Sequence, residues 1–222
     1  MSTNNFPAAV LWDMDGTLID SEPYWMESEG ALAQSYGGVW TAEDAHSIIG
    51  KSLYDSSAML KERFNIDDLS VQELIDKMTN EVIANLKKKL PFRPGAIELL
   101  IELKKRGIKT ALVTMSMRSM AQTVADAIGF DAFDVIVAGD EVEMGKPHPE
   151  PYLKAAELLG VDISDCIAFE DSATGMMSAE SAGAHTIGVP NLIPLPARPT
   201  NKIISSLTDV NLDDVESLRV HV

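Results

Sequence analysis

Cysteine is nearly missing from this chain. Cys166 is the only one in 222 residues, so no intrachain disulfide can form and a reducing, cytoplasmic compartment is expected. Positive charge is scarce as well: 18 Lys and Arg stand against 34 Asp and Glu, a formal net charge of −16. Nucleic acids and anionic membranes are recognised by clustered cations, so neither is expected as the main partner. A phosphorylated ligand would need local help from a cation, backbone amides or a metal. No apolar run reaches the length that spans a bilayer. Met1 to Pro7 carries neither a basic segment nor an apolar one, so no signal peptide is expected. What is plentiful is apolar composition, 45% of residues, enough to fill a sizeable core. The length suits one domain, or one domain with an insertion, and nothing demands more than a monomer.

Ala8 to Trp12 has the length and flanks of a buried parallel strand. It runs into Asp13 and Asp15. If the strand continues through Met14, its period of two puts both carboxylates on one side. Gly16 then lets the backbone turn and approach a ligand closely. From Glu22 to Leu90 the pattern is helical throughout. One helix opens at Ser21-Glu22-Pro23, with Ser21 as its cap, and stops at Gly37-Gly38. A short one is capped by Thr41 and Asp44 and ends near Gly50. A third covers about Leu53 to Phe64. A fourth begins at Ser70 and runs through Leu74, Met78, Val82 and Leu86.

After the stiff stretch Pro91 to Gly95, helices and strands alternate. Helices are expected over Ala96 to Lys105, with Ile97, Leu100 and Ile101 on one face, and over Met117 to Ile128, Glu150 to Leu159 and Ala173 to Ala182. Strands are expected over Ile108 to Thr114, Val135 to Ala138, Cys166 to Phe169 and Thr186 to Val189. A peripheral strand and a terminal helix should follow from Lys202 to Val222. Such alternation predicts an α/β fold, a parallel sheet with helices on both faces. Residues 1–20 and 91–222 would form it, and residues 21–90 would be a helical insertion.

Each core strand ends in something polar. The first delivers Asp13 and Asp15. The second ends at Thr114-Met115-Ser116, whose hydroxyls and amides could hold phosphate oxygens at a helix start; as an alternative, Ser116 is a plain helix cap. The third leads to Asp140, which could help the site electrostatically, and to Gly145-Lys146-Pro147-His148-Pro149, with Lys146 fixed just before a helix. The fourth ends in Glu170-Asp171-Ser172. In an open α/β sheet, ligands bind beyond the carboxyl ends of the strands, so these groups would share one site. Hard carboxylate oxygens suit Mg²⁺.

Asp13-Met14-Asp15-Gly16-Thr17-Leu18-Ile19-Asp20, Thr114, Gly145 to Pro149 and Glu170-Asp171 together resemble, in order, the four motifs of the haloacid dehalogenase superfamily. Met115 departs from the polar residue common at its place. The resemblance is strongest to the β-phosphoglucomutase-like and sugar-phosphate phosphatase branch, and implies a Rossmann-like core with residues 21–90 as a helical cap. It implies Asp13 as nucleophile, Asp15 as acid and base, and Lys146 as the neutralising cation. Thr114, Met115, Ser116 and Lys146 would bind the phosphoryl group. Asp13, the carbonyl of Asp15, Asp171 and Glu170 would hold or support Mg²⁺. In the cap, Glu22 and Lys51 would contact substrate, and Trp25 would face the opening.

The expected function is Mg²⁺-dependent hydrolysis of a small phosphorylated metabolite, a sugar or polyol phosphate, through an aspartyl-phosphate. A sugar phosphomutase on the same scaffold is the alternative. The mutases resembled carry a cap histidine where this chain has Trp25, which lowers that reading. A haloacid dehalogenase would lack Asp15 and the metal site. A non-catalytic phosphometabolite-binding module would leave both acid pairs and Lys146 unexplained.

Overall fold

The structure, a computed structural model, describes residues 7–48 and 52–213. The chain divides into two compact units, one of Met1–Asp20 with Phe92–Val222 and one of Ser21–Pro91.

The second unit is helical, with α1 (Glu22–Ser35), α2 (Ala42–Ile48), α3 (Leu53–Arg63) and α4 (Val71–Lys88). The starts of α2 and α4 are written in the sequence. Thr41 and Asp44 bond each other reciprocally at the head of α2. Ser70 and Glu73 form the same capping box at α4, leaving fewer helix-end amides without partners. Ser21 differs from its expected role: it stands at the cap position of α1, but its side chain makes no capping bond. Its backbone is already helical, whereas a capping side chain works from an extended backbone. Leu32, Leu60, Ile66, Leu74 and Met78 form the core of this unit, with Trp25, Tyr36, Trp40 and Phe64 packed around it.

The first unit is built on six parallel strands. They are β1 (Ala9–Trp12), β2 (Lys109–Val113), β3 (Val135–Val137), β4 (Cys166–Glu170), β5 (His185–Gly188) and β6 (Asn201–Ile203), in spatial order β3-β2-β1-β4-β5-β6. Between them run α5 (Ala96–Lys105), α6 (Arg118–Ala127), α7 (Glu150–Leu159) and α8 (Ala173–Ala182). β1 is buried along its whole length, as a central parallel strand must be. Alternate strand residues Leu11, Ala111, Val113 and Ala168 pack on Tyr152, Ala155 and Leu159 of α7 and on Ala179 and Ala182 of α8. Strand alternation sends Trp12 and Phe169 to the other face, where their rings lie 5.0 Å apart.

The buried stripe of α5 is Ala96, Leu99, Leu100 and Leu103, not Ile97, Leu100 and Ile101. Both sets have helical spacing, and the helix is apolar at all of these positions. Leu103, a full two turns from Ala96, extends only the first stripe, and Ile101 is left exposed. The peripheral strand is β6, and Leu207–Asp209 make a short 3-10 turn. The expected terminal helix falls largely outside the described residues.

From β1 the chain moves outward through β2 and β3, then returns to β4 on the other side of β1 and moves outward through β5 and β6. The order therefore reverses between β1 and β4, and a crevice opens beyond the carboxyl ends of those two strands. The ladder persists one residue past β1, where the Asp13 N–H donates to the Phe169 carbonyl at 3.0 Å. That bond fixes Asp13 at the crevice.

Candidate active site

Three strand ends converge on Lys146. Its ammonium donates to Asp13 Oδ1 at 2.7 Å, to Glu170 Oε1 at 2.6 Å and to the Val113 carbonyl at 2.9 Å. Its side chain is only 6% exposed, so these charge-assisted bonds replace nearly all of its hydration. The backbone N–H of Lys146 also donates to the Met115 sulfur at 3.2 Å. The loop that delivers the lysine is pinned farther along, where the Glu150 carboxylate accepts from the N–H groups of Glu143 and Met144.

Burial is the largest influence on both charged partners. It raises the pKa of Asp13, and Glu170 and Asp15 add to that; Lys146 opposes them, and the result is about 7. Burial alone would lower Lys146, but the charges of Asp13 and Glu170 outweigh it and hold the lysine above its ordinary value. A second cation beside Asp13 would favour the ionised carboxylate.

Asp13, Glu170 and Asp171 offer carboxylate oxygens that all lie within 4.8 Å of one another. Asp13 Oδ2 is buried with no hydrogen-bond partner, which costs free energy unless something else meets it. The approach of Asp171 is made possible by Gly16, whose φ is +85°; a Cβ there would lie 1.9 Å from Asp171 Oδ2. Gly175 performs the same service for Glu170, whose carboxylate would lie within 2.2 Å of an added Cβ. An all-oxygen set of this kind, with one oxygen uncommitted, fits Mg²⁺. Ser172, rather than Glu170 or Asp171, caps α8 by accepting from the Gly175 N–H.

Asp15 is held from the β2 side. Its Oδ2 accepts from Ser116 Oγ at 2.7 Å and from Thr114 Oγ1 at 3.2 Å, while the Ser116 N–H donates to Thr114 Oγ1. The Ser116 hydroxyl is thus spent on Asp15, and the plain-cap alternative for Ser116 falls away. The start of α6 is served by Asp140, whose carboxylate accepts the Arg118 N–H at 2.8 Å. Asp140, offered by the sequence as an electrostatic helper, has this capping bond as its observed contact.

The structure therefore brings together Asp13, Lys146, Glu170 and Asp171, with Asp15, Thr114 and Ser116 bonded as a second group. Glu22 lies half-buried in the first turn of α1. Lys51 falls outside the described residues. Sequence reasoning missed Tyr152, whose phenol donates to Glu170 Oε1 at 2.6 Å. It sits on the buried stripe of α7 and reads there as ordinary core. No described helix is long and apolar enough to cross a membrane.

Comparison with known proteins gives the family. Residues 7–183 match the family model described as haloacid dehalogenase-like hydrolase. The chain is 35% identical over 180 residues to a phosphorylated carbohydrates phosphatase of Thermotoga maritima, covering 81% of this chain and 83% of that protein. It is 30% identical over 219 residues to a bifunctional riboflavin kinase/FMN phosphatase of Arabidopsis thaliana, which takes 96% of this chain but only 56% of the longer relative. The crystal structure of a family IA, variant 3 hydrolase from Entamoeba histolytica superposes with a TM-score of 0.82 at 28% identity, over 95% of this chain and 98% of that one. The chain belongs to the haloacid dehalogenase-like hydrolases.

Proposed function

We propose that the chain is a Mg²⁺-dependent phosphatase of a small phosphorylated metabolite, a sugar or polyol phosphate. The observation that carries this is the Asp13 carboxylate, with one oxygen bonded to Lys146 at 2.7 Å and the other buried without a partner. The relatives point the same way and set no single leaving group, since one acts on phosphorylated carbohydrates and the other is an FMN phosphatase.

In the first step the Asp13 carboxylate attacks phosphorus, the ester P–O bond breaks, and the departing oxygen takes a proton from Asp15. In the second, Asp15 takes a proton from water as that water attacks phosphorus, and the acyl phosphate bond breaks to restore Asp13. Ser116 and Thr114 hold the Asp15 carboxyl in one orientation through both proton transfers. Lys146 offsets the repulsion between Asp13 and the anionic substrate. The Thr114–Ser116 loop, with the Met115 amide, orients the phosphoryl oxygens. Held by Asp13, Asp171 and the Asp15 carbonyl, with Glu170 in support, Mg²⁺ would supply charge neutralisation at the phosphoryl group. Preference for the leaving group we assign to residues 21–90 as a cap, where Glu22 and Lys51 stand.

The test is phosphate release from a panel of sugar, polyol and nucleotide monoesters, with Mg²⁺, with EDTA, and with Asp13→Asn. Metal-dependent release that the variant loses is the expected result. Interconversion of hexose phosphates without release would replace the phosphatase by a mutase. Silence in both assays from folded protein would overturn the enzyme reading.

A further inference from the structure

Tyr152 is fully buried on α7, and nothing about core packing requires its hydroxyl. The sheet-facing positions around it are filled by alanine, valine and leucine. A phenylalanine would serve that purpose. Yet the hydroxyl reaches Glu170 Oε1 at 2.6 Å, the same atom that accepts from Lys146 Nζ at 2.6 Å. The lysine ammonium in turn lies 5.3 Å from the centre of the Tyr152 ring. One side chain thus touches both members of the ion pair beneath Asp13, through its hydroxyl and through its π face.

The consequence is geometric. Glu170 Oε2 has only a long hydrogen bond, 3.4 Å from Ser172 Oγ, and packs on Gly175, so the strong bonds that orient the carboxylate are those made at Oε1. With two donors at Oε1, the carboxylate cannot turn away from Lys146 without losing both. The Lys146 ammonium is then fixed along the line from Glu170 to Asp13, where two of its three protons are directed.

We infer that Tyr152 is a positioning residue, which locks the Glu170 carboxylate and through it aims the Lys146 ammonium at Asp13. It touches none of the reacting atoms. The inference rests on the reading of Asp13 and Lys146 as catalytic, but the geometry it describes can be measured without turnover.

The experiment compares wild type with Tyr152→Phe, which keeps the ring in the core. Nitrogen-15 NMR reads hydrogen exchange of the Lys146 ammonium, and kinetics on whichever phosphate ester the wild type hydrolyses best reads kcat and KM separately. The expected result is faster ammonium exchange, with kcat lower by roughly three- to tenfold, only part of a hydrogen bond to a charged group because Tyr152 acts on Lys146 through Glu170, and KM unchanged. In a Glu170→Gln background the same change should leave exchange where it was. Unchanged exchange in Tyr152→Phe overturns the inference whatever the melting temperature does. Faster exchange with unchanged kcat also overturns it, since the lysine would then be loosened without effect on the reaction. If wild type hydrolyses no ester, the phosphatase reading fails, and the exchange rates alone still decide whether Tyr152 holds Lys146.

Discussion

Lys146 has a carbonyl and two carboxylates as its acceptors and almost no water. A buried charge in such a place is stable only with its partners, and they only with it. Lys146→Met keeps the length of the stem but leaves Asp13 and Glu170 facing one another uncompensated. Urea unfolding should show a loss of about 3–5 kcal/mol, the cost of breaking a buried pair from one side. Added Mg²⁺ should recover part of that loss and raise the melting temperature of the variant more than that of wild type. Equal stability of the two proteins would mean that the acids are neutral without the lysine. At this scale the sequence was informative wherever a short motif holds the residue. Asp13, Lys146 and Asp171 could be placed because the short motifs that hold them follow one another in the order of the family they resemble. Tyr152 and the sulfur of Met115 could not, because each acts by what it touches across the fold, and spacing holds no record of that contact.

Elements were legible where local rules end them. α5, α7 and α8 begin and end where the pattern of caps, prolines and glycines puts them. The parallel sheet follows from the alternation of such helices with short apolar runs. Two things were not legible: which of two apolar stripes on α5 turns inward, and that Asp140 serves the head of α6. Both depend on the neighbour against which the element is laid down. A further contact of this kind lies in α1. Glu29 is buried, accepts from Trp40 Nε1 at 2.8 Å, and its pKa is raised to about 7 from an ordinary 4.5, mainly by burial and with help from Glu22, against the Trp40 bond. The folded chain therefore binds this proton more tightly than the unfolded one. Its contribution to stability is complete below about 4.5 and is lost as pH rises through about 7. Glu29→Gln, a neutral mimic that can still accept from Trp40, should match wild type near the acid end of that window. At pH values above it, the variant should be the more stable by on the order of 1–3 kcal/mol, since each pKa unit is worth about 1.4 kcal/mol. Chemical unfolding across the window would show it, and parallel curves for the two proteins would mean that Glu29 is ionised when folded.

Over the whole molecule the balance is acidic, −16 at neutral pH, and this bears on how an anionic substrate arrives. Close to the site the balance is acidic too, because the single ammonium of Lys146 is shared by Asp13 and Glu170 and Asp171 lies beside them; a bound Mg²⁺ would offset most of that excess. Farther out, the net negative field repels a phosphate dianion and slows its encounter with the protein. That long-range part is what salt removes: the screening length falls from about 30 Å at 0.01 M ionic strength to about 8 Å at 0.15 M. The short-range bonds beneath Asp13, out of solvent, change much less. Added chloride salt at fixed free Mg²⁺ should therefore raise kcat/KM for a phosphate monoester by roughly two- to fivefold over that range, with kcat nearly constant. Initial rates at low substrate concentration measure the first quantity and saturating rates the second. If kcat/KM instead falls with salt, substrate is being drawn in by a local cluster of cations strong enough to overcome the net charge. The 18 Lys and Arg would then be the residues to vary, beginning with Lys51.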